Sequence, residues 1–258
     1  MMMRGIAAVF VFEWRRAFSG PRIFSWCLLA AFPPGLGALV RHYTPADDWP
    51  PPFVVGSILF GLIVEVLCLL GLLLSATPLL HAELESRSWP YLAVRPAGRL
   101  KVMLGKYLAA VSWTYSIALA ATILTVVFVA PVHATRLGLN LALLSLFSCL
   151  TYGALYCLIA VVMHRRAMVF AVAYTVVFEF LVTFIPAVIN QVTIQFRLRS
   201  LLFHGMGWLD ELPDDVEIII SPAPAWLHVM LLIGMTAALL VAAGFVVSNK
   251  QYIVSDEA

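Results

Sequence analysis

The sequence predicts an all-α membrane protein with six transmembrane helices, and three observations support this. Apolar residues make up 62% of the 258 residues and charged residues only 12%, whereas soluble domains are about 45–50% apolar and about 25% charged. Six stretches are apolar over the roughly 20 residues that a helix needs to cross a bilayer core. Lysine and arginine are unevenly distributed over the connections between these stretches.

The six predicted spans belong to one transmembrane domain, residues 1–258. Their approximate bounds are 23–40, 53–80, 107–130, 137–163, 168–189 and 225–247. Pro33 and Pro34 interrupt the first span, and proline both removes a helical N–H and clashes with the preceding turn, so we expect that helix to kink or end there. The second span exceeds the bilayer core, so its ends should tilt or emerge from the membrane.

The basic residues predict the orientation of the chain. With six spans both termini lie on one side, and that side receives twelve of the 16 lysines and arginines. The other side receives four, which are Arg41, Arg136, Arg197 and Arg199. Because short cytoplasmic loops carry the excess of positive charge, both termini are predicted to be cytoplasmic in a multi-pass protein of the cytoplasmic (inner) membrane.

Residues 6–19, ahead of the first span, predict an amphipathic helix that lies in the membrane interface. Glu13, Arg15 and Arg16 fall on its polar face. The opposite face is apolar and aromatic, and consists of Ala7, Phe10, Val11, Trp14, Ala17 and Phe18. An aromatic face opposite arginines is typical of helices that lie on a membrane rather than cross it.

The sequence contains no recognised catalytic or metal-binding motif. Neither His-Glu-x-x-His nor Gly-x-Ser-x-Gly occurs, and residues 98–106 lack the spacing of a phosphate-binding loop, with Tyr107 in place of the Ser or Thr that holds magnesium. The four cysteines form no Cys-x-x-C pair. We therefore expect no catalytic residues, no metal and no cofactor on this chain, and the net charge of +2 favours no nucleic-acid partner.

Two acidic residues, Glu65 and Glu179, fall near the middle of predicted spans. A charged carboxylate at that depth costs on the order of 2–3 kcal/mol or more, so each acid should be protonated, partnered or facing a polar cavity. One interpretation is a translocation path or proton relay. The other is a neutral carboxyl group bonded to a Ser, Thr or Tyr on a neighbouring helix or subunit.

The loop His81–Lys106 is predicted to be cytoplasmic and structured. Glu83 and Glu85 favour the start of a helix, Trp89 and Leu92 offer apolar anchors, and a basic helix then re-enters the membrane. Exposed aromatic residues among charges indicate a docking surface for another protein. A hairpin held at the interface by lipid headgroups fits the same residues.

This loop resembles that of the type-2 ABC transporter permeases, in which an acidic opening, a short coupling helix, a Leu-rich turn, Pro-x-x-Arg and Gly-Lys follow one another. The matching residues are Glu83, Glu85, Leu92, Pro96, Arg99, Gly105 and Lys106. Arg87-Ser88 replaces the usual Gly-Thr, so the start of the coupling helix should differ in shape. The interfacial helix, the six spans and the external segment 190–224 also fit the family.

The resemblance implies a permease subunit that exports a substrate with energy from a separate ATPase. The ATPase would be present in two copies and would hold ATP and magnesium, and a second permease, identical or homologous, would complete the dimer in the lipid bilayer. Residues expected to couple the loop to the ATPase are Glu83, Glu85, Trp89, Leu92, Arg95, Pro96 and Arg99. Those expected to support them from the interfacial helix are Glu13, Trp14, Arg15 and Arg16.

Two alternative functions remain at this stage. A lipid-modifying enzyme embedded in the membrane would need a cluster of acids and histidines, and the candidate is Asp210, Glu211, Asp214 and Asp215 with His204. A proton-coupled secondary transporter would use Glu65 and Glu179. The segment 190–224 that carries the acidic cluster is expected to form short helices over the outer mouth of the bundle.

Overall fold

The structure, a computed structural model, describes residues 2–45, 49–78, 98–129, 133–163, 165–181, 193–208 and 223–250. Within these ranges the regular elements are all helices and no strand occurs. In chain order the helices are α1 (Met2–Ala17), α2 (Gly20–Tyr43), α3 (Pro52–Ala76), α4 (Gly98–Val129), α5 (Ala134–Val162), α6 (Ala167–Tyr174, continued by a π-helical segment Thr175–Leu181), α7 (Ile194–Met206) and α8 (Ala225–Asn249).

Five of these helices, α2, α3, α4, α5 and α8, are long and apolar enough to cross a membrane. Their bounds lie close to those of five predicted spans, because a helix satisfies its own backbone hydrogen bonds in lipid and so follows the apolar stretch. The chain is therefore a multi-pass membrane protein. The remaining predicted span, 168–189, corresponds to α6, and its part beyond residue 181 lies outside the described residues. The total of six spans stays a prediction.

The sequence predicted that the first span would kink or end at Pro33 and Pro34, and the helix does not end there. Helix α2 continues through both prolines to Tyr43, and both side chains are buried. Transmembrane helices tolerate proline where neighbouring helices support the freed backbone groups. Helix α2 has such support, because it packs along α4 and the Trp26 indole donates to the Ser116 hydroxyl at 3.0 Å.

Two of the helices contain a π-helical segment, and each segment carries one of the intramembrane acids. In α3 the segment is Gly61–Leu67 and contains Glu65. In α6 it is Thr175–Leu181 and contains Glu179. A π-helical segment shifts the register of the side chains relative to a regular α-helix and is common at functional sites. Sequence periodicity did not predict either segment.

Helix α4 packs against α1, α2, α3, α5 and α8. Small residues bring these helices close together. A Cβ atom on Gly71 of α3 would lie 2.6 Å from Thr114, and one on Gly153 of α5 would lie 2.9 Å from Val111. Both contacted residues belong to α4. Glycine at such crossings allows the backbones to approach, which is how helices in lipid gain packing energy.

The helices alternate in direction, so the bundle has two ends. At one end, named here the α1 end, α1 lies beside the start of α4, and the Lys250 ammonium group donates to the Val162 carbonyl at the ends of α8 and α5. At the other, named here the α7 end, the Arg41 guanidinium donates to the Val129 carbonyl at the ends of α2 and α4. Helix α7 packs on α5 and α8 towards this second end.

Candidate functional site

Most of the predicted coupling loop lies outside the described residues. This applies to Glu83, Glu85, Trp89, Leu92, Arg95 and Pro96. Arg99 is described and lies in the first turn of α4. Its guanidinium donates to the carbonyls of Ser248 at 3.4 Å and Lys250 at 3.3 Å, at the end of α8. Arg99 therefore links the helix that follows the loop to the last helix of the chain.

An ion pair attaches α1 to the same part of α4. The Lys106 ammonium group lies 3.2 Å from the Glu13 carboxylate, and the two side chains are only 7% and 14% exposed. Helical periodicity predicts Glu13 on the polar face of α1, and in the structure this side chain faces α4. The cause is Lys106, a cation in an apolar helix that requires a nearby anion.

Aromatic and small residues complete the contact between α1 and α4. The Trp113 ring meets Trp14 and Phe18 edge-on, with ring centroids 5.6 Å apart in each pair. A Cβ atom on Gly105 would lie 2.7 Å from Val9, so α1 approaches the α4 backbone directly. Arg15 and Arg16 are exposed. Helix α1 is thus fixed along the first part of α4, immediately after the predicted coupling loop.

Glu65 in α3 has an arginine partner. The Arg199 guanidinium of α7 donates from Nε to Oε1 at 2.7 Å and from Nη2 to Oε2 at 3.2 Å. The Glu65 side chain is 10% exposed and that of Arg199 26%. Two parallel charge-assisted bonds make a strong and directional contact, and a paired carboxylate no longer carries the full cost of an isolated charge in the membrane.

Helix α7 is a short helix in the segment that was expected to form short helices over the outer mouth. It lies inside the bundle, and most of its side chains are buried: Ile194, Gln195, Phe196, Leu198, Ser200, Leu201, Leu202, Phe203 and Met206. Glu65 lies 13 residues into α3, or roughly 20 Å along that helix, and Arg199 reaches this depth. The distribution of basic residues in the sequence assigned Arg199 to a connection between spans. In the structure Arg199 lies between the helices, paired with Glu65.

Glu179 in α6 is bonded to hydroxyl groups. It accepts from the Tyr152 hydroxyl of α5 at 2.7 Å and from the Tyr174 hydroxyl at 3.5 Å, and it is 1% exposed. The backbone N–H of Gln195, in the first turn of α7, also donates to it. One turn earlier in α6, Thr175 shares a 2.6 Å hydrogen bond with Tyr156 of α5. Glu179 therefore joins α5, α6 and the start of α7.

Further contacts hold the rest of α7. The Arg197 guanidinium lies 3.3 Å from Nδ1 of His228 in α8, and the Arg136 guanidinium of α5 donates to the Gly205 carbonyl at 3.0 Å. The Trp208 ring, just after α7, packs directly on Gly56 of α3. These contacts and the two acids surround α7 with α3, α5, α6 and α8.

Sequence reasoning missed several of these residues. It identified both acids from their depth, but it did not identify Arg199, Tyr152 or Tyr174 as partners. One indication was available in the sequence. The range 194–206 is mostly apolar and has arginines at only two positions, and this composition is typical of a partly buried helix. The acidic cluster at Asp210, Glu211, Asp214 and Asp215 lies outside the described residues, and groups of three or more metal-ligating residues are absent from the described part of the chain.

The fold and these contacts define a helical membrane protein whose buried acids position a helix. The family model described as "ABC-2 family transporter protein" matches residues 21–189, about two thirds of the chain. The chain therefore belongs to the ABC-2 transporter family, and the resemblance to type-2 ABC permeases is confirmed. The match includes both buried acids and ends before α7. None of the curated proteins matches the chain.

Proposed function

We propose that this chain is the permease subunit of an ABC transporter that exports a substrate across the cytoplasmic membrane. Membership of the ABC-2 family is the observation that carries the proposal. A transport subunit rather than an enzyme is what this family implies. The energy comes from ATP, bound with magnesium by a separate ATPase subunit.

The proposed complex contains two permeases and two ATPases. The second permease is another copy of this chain or a homologue, and both termini face the ATPases in the cytoplasm, as the distribution of basic residues predicts. Binding of ATP moves the ATPases together and biases the permeases between two arrangements. The loop 81–106, with Glu83, Glu85 and Arg95 among its charged residues, receives this movement.

The contacts at the α1 end support a route from the loop into the bundle. The loop leads directly into α4, which packs on five other helices, α1, α2, α3, α5 and α8. The Glu13–Lys106 pair attaches α1 to α4, and Arg99 attaches α4 to α8. A displacement of the start of α4 therefore acts on α1 and α8 as well.

We propose a positioning role for the buried acids. Glu65 and Glu179 bind α7 through Arg199 and the Gln195 backbone, so they favour the arrangement in which α7 fills the space between α3, α5 and α8. Both acids are engaged by neighbours at hydrogen-bonding distance. This supports a structural use of the carboxylates over the proton-coupled alternative.

The decisive experiment is isolation of the complex. Tagged chain is purified from its native membrane in mild detergent, and co-purifying proteins are identified by mass spectrometry. We expect an ATPase with a Walker motif, in equal amount to the permease, whose activity in reconstituted vesicles changes with the permease present. Glu85→Lys should reduce this effect without altering membrane insertion, whereas Arg165→Gln, a charge change in another loop, should not. Absence of any such ATPase would refute the proposal.

A further inference from the structure

An open cleft lies at the α1 end, between α1, α2, α3 and α4. Its volume is about 870 Å³ including the space open to solvent. Among the residues that the structure describes, the charged ones on its wall are Glu13, Arg16, Arg22 and Lys106. The proposed transport mechanism assigns no ligand to this cleft.

The cleft carries an excess of positive charge. Lys106 and Glu13 pair with each other across 3.2 Å, which leaves two arginine side chains, those of Arg16 and Arg22. Both arginine residues are exposed, and neither pairs with a carboxylate of the described residues. Two guanidinium groups on one cleft favour an anion with several oxygens, because each group presents a fork of N–H donors that matches phosphate.

The lining changes from charged to apolar along the helices. On α4 it runs from Lys106 through Trp113 to Ile117, a distance of roughly 16 Å at 1.5 Å per residue. On α2 and α3 it includes Leu29 and Leu74 beyond the arginine side chains. A soluble anion would gain nothing from this apolar part, whereas the acyl chain of a lipid would be buried along it.

The polar groups next to the apolar part have partners within the protein. The Ser25 hydroxyl donates to the Arg22 carbonyl at 2.9 Å, and the Ser75 hydroxyl donates to the Gly71 carbonyl at 2.6 Å. Their protons are therefore engaged, and among the described wall residues the cations without a carboxylate partner are the two arginines. Charge lies at one end of the cleft and hydrocarbon at the other.

We propose that this cleft binds one anionic phospholipid of the bilayer. Its phosphate lies between Arg16 and Arg22, and one acyl chain follows α4 past Trp113 towards Ile117. Basic pockets between transmembrane helices bind acidic headgroups for the same physical reason. Because Arg16 belongs to α1 and Arg22 to α2, the bound lipid joins the two helices at the end where the coupling loop enters.

The test uses the full-length chain, or its complex, in detergent with defined lipids. Phosphatidylglycerol retained per chain is counted by native mass spectrometry, with phosphatidylcholine as the neutral competitor. We expect one tightly retained phosphatidylglycerol. The variant Arg16→Gln with Arg22→Gln should lower its affinity roughly 25-fold, which is about fivefold for each arginine.

The matched control removes the same charge at the same end but outside the cleft. Arg15 is the sequence neighbour of Arg16, and Arg165 lies in the exposed connection between α5 and α6. The variant Arg15→Gln with Arg165→Gln should retain the lipid within about twofold of the unaltered chain. The charge-preserving variant Arg16→Lys with Arg22→Lys should also retain most of the binding, and it provides the comparison if the glutamine variant unfolds.

Three outcomes would overturn the proposal. Equal loss of lipid in the cleft variant and in its matched control would show a general attraction of acidic lipids to a basic surface. Displacement of phosphatidylglycerol by about 10 mM inorganic phosphate, as effectively as by added lipid, would show a site for a soluble anion. Equal retention of phosphatidylcholine would show a purely apolar site.

Discussion

The pair between Glu65 and Arg199 provides the sharpest test of how α7 is held. Glu65→Gln leaves the Arg199 guanidinium three-quarters buried without its anion, and Arg199→Met leaves the Glu65 carboxylate nine-tenths buried without its cation. Removal of one partner of a buried pair costs about 3–5 kcal/mol. Because Arg199 retains 26% exposure, we expect a somewhat smaller cost than this, about 2–4 kcal/mol, for each single variant.

The double variant should behave differently from either single one. With both charges removed, the cost of an unpaired charge in the bundle disappears, and neutral replacements of similar volume are often nearly neutral in free energy. We therefore expect Glu65→Gln with Arg199→Met to be more stable than Arg199→Met alone. The sum of the two single effects should exceed the double effect by about 2 kcal/mol or more, which is the range of strongly coupled residues.

The measurement is thermal unfolding of the purified chain in one detergent. A loss of 2–4 kcal/mol corresponds to a fall of roughly 5–15 °C in melting temperature for a chain of this size. Arg136→Met is the control, because Arg136 also contacts α7 but through a single bond to the Gly205 carbonyl at the exposed rim, worth about 1 kcal/mol. Additive effects of the two substitutions at Glu65 and Arg199 would refute the ion pair as the force that holds α7.

The other predictions concern the contacts of α1 and of Glu179. Lys106→Met should leave the Glu13 carboxylate on α1 without its cation. Amide hydrogen exchange of residues 2–17 should then become about tenfold faster or more, while that of α5 is unchanged. Gly105→Leu should displace α1, because a Cβ atom there meets Val9 at 2.7 Å, whereas Gly234→Leu, with open space around it, should leave both exchange and melting temperature unaltered. Tyr152→Phe should remove the 2.7 Å bond to Glu179 and lower the free energy of unfolding by about 1–3 kcal/mol; an unchanged melting temperature would contradict this role.

Hydropathy predicted the spans well. The reason for this success is a physical constraint that applies in lipid. A chain in the bilayer core must satisfy its backbone internally, so a long apolar stretch has few alternatives to a helix. Five of the predicted ranges have long helices close to their bounds. Even the two prolines of α2 did not end the helix, because α4 supports that part of the chain.

Residue partnerships were much harder to predict from the sequence. Depth alone identified Glu65 and Glu179, since it depends only on the distance from the ends of an apolar stretch. The identity of a partner depends on which helices meet, and Arg199 lies 134 residues from Glu65. The positive-inside rule assigns arginines to the connections between spans. It does not consider an arginine on a short helix that packs among the spans and pairs with a buried acid. For that reason the ion pair that holds α7 was not predicted.

Two ion pairs at different depths in the bundle act in the same way. At the α1 end Glu13 and Lys106 join α1 to α4, and about halfway along α3 Glu65 and Arg199 join α7 to α3. Each pair attaches a shorter helix to a long apolar one. A movement of the start of α4 would reach α7 through the packing of α4 on α3, α5 and α8, which includes the Arg99 contact with α8. The close crossings of α4 at Gly71 and Gly153 lie on this route, and dense packing there is what transmits a displacement rather than absorbing it.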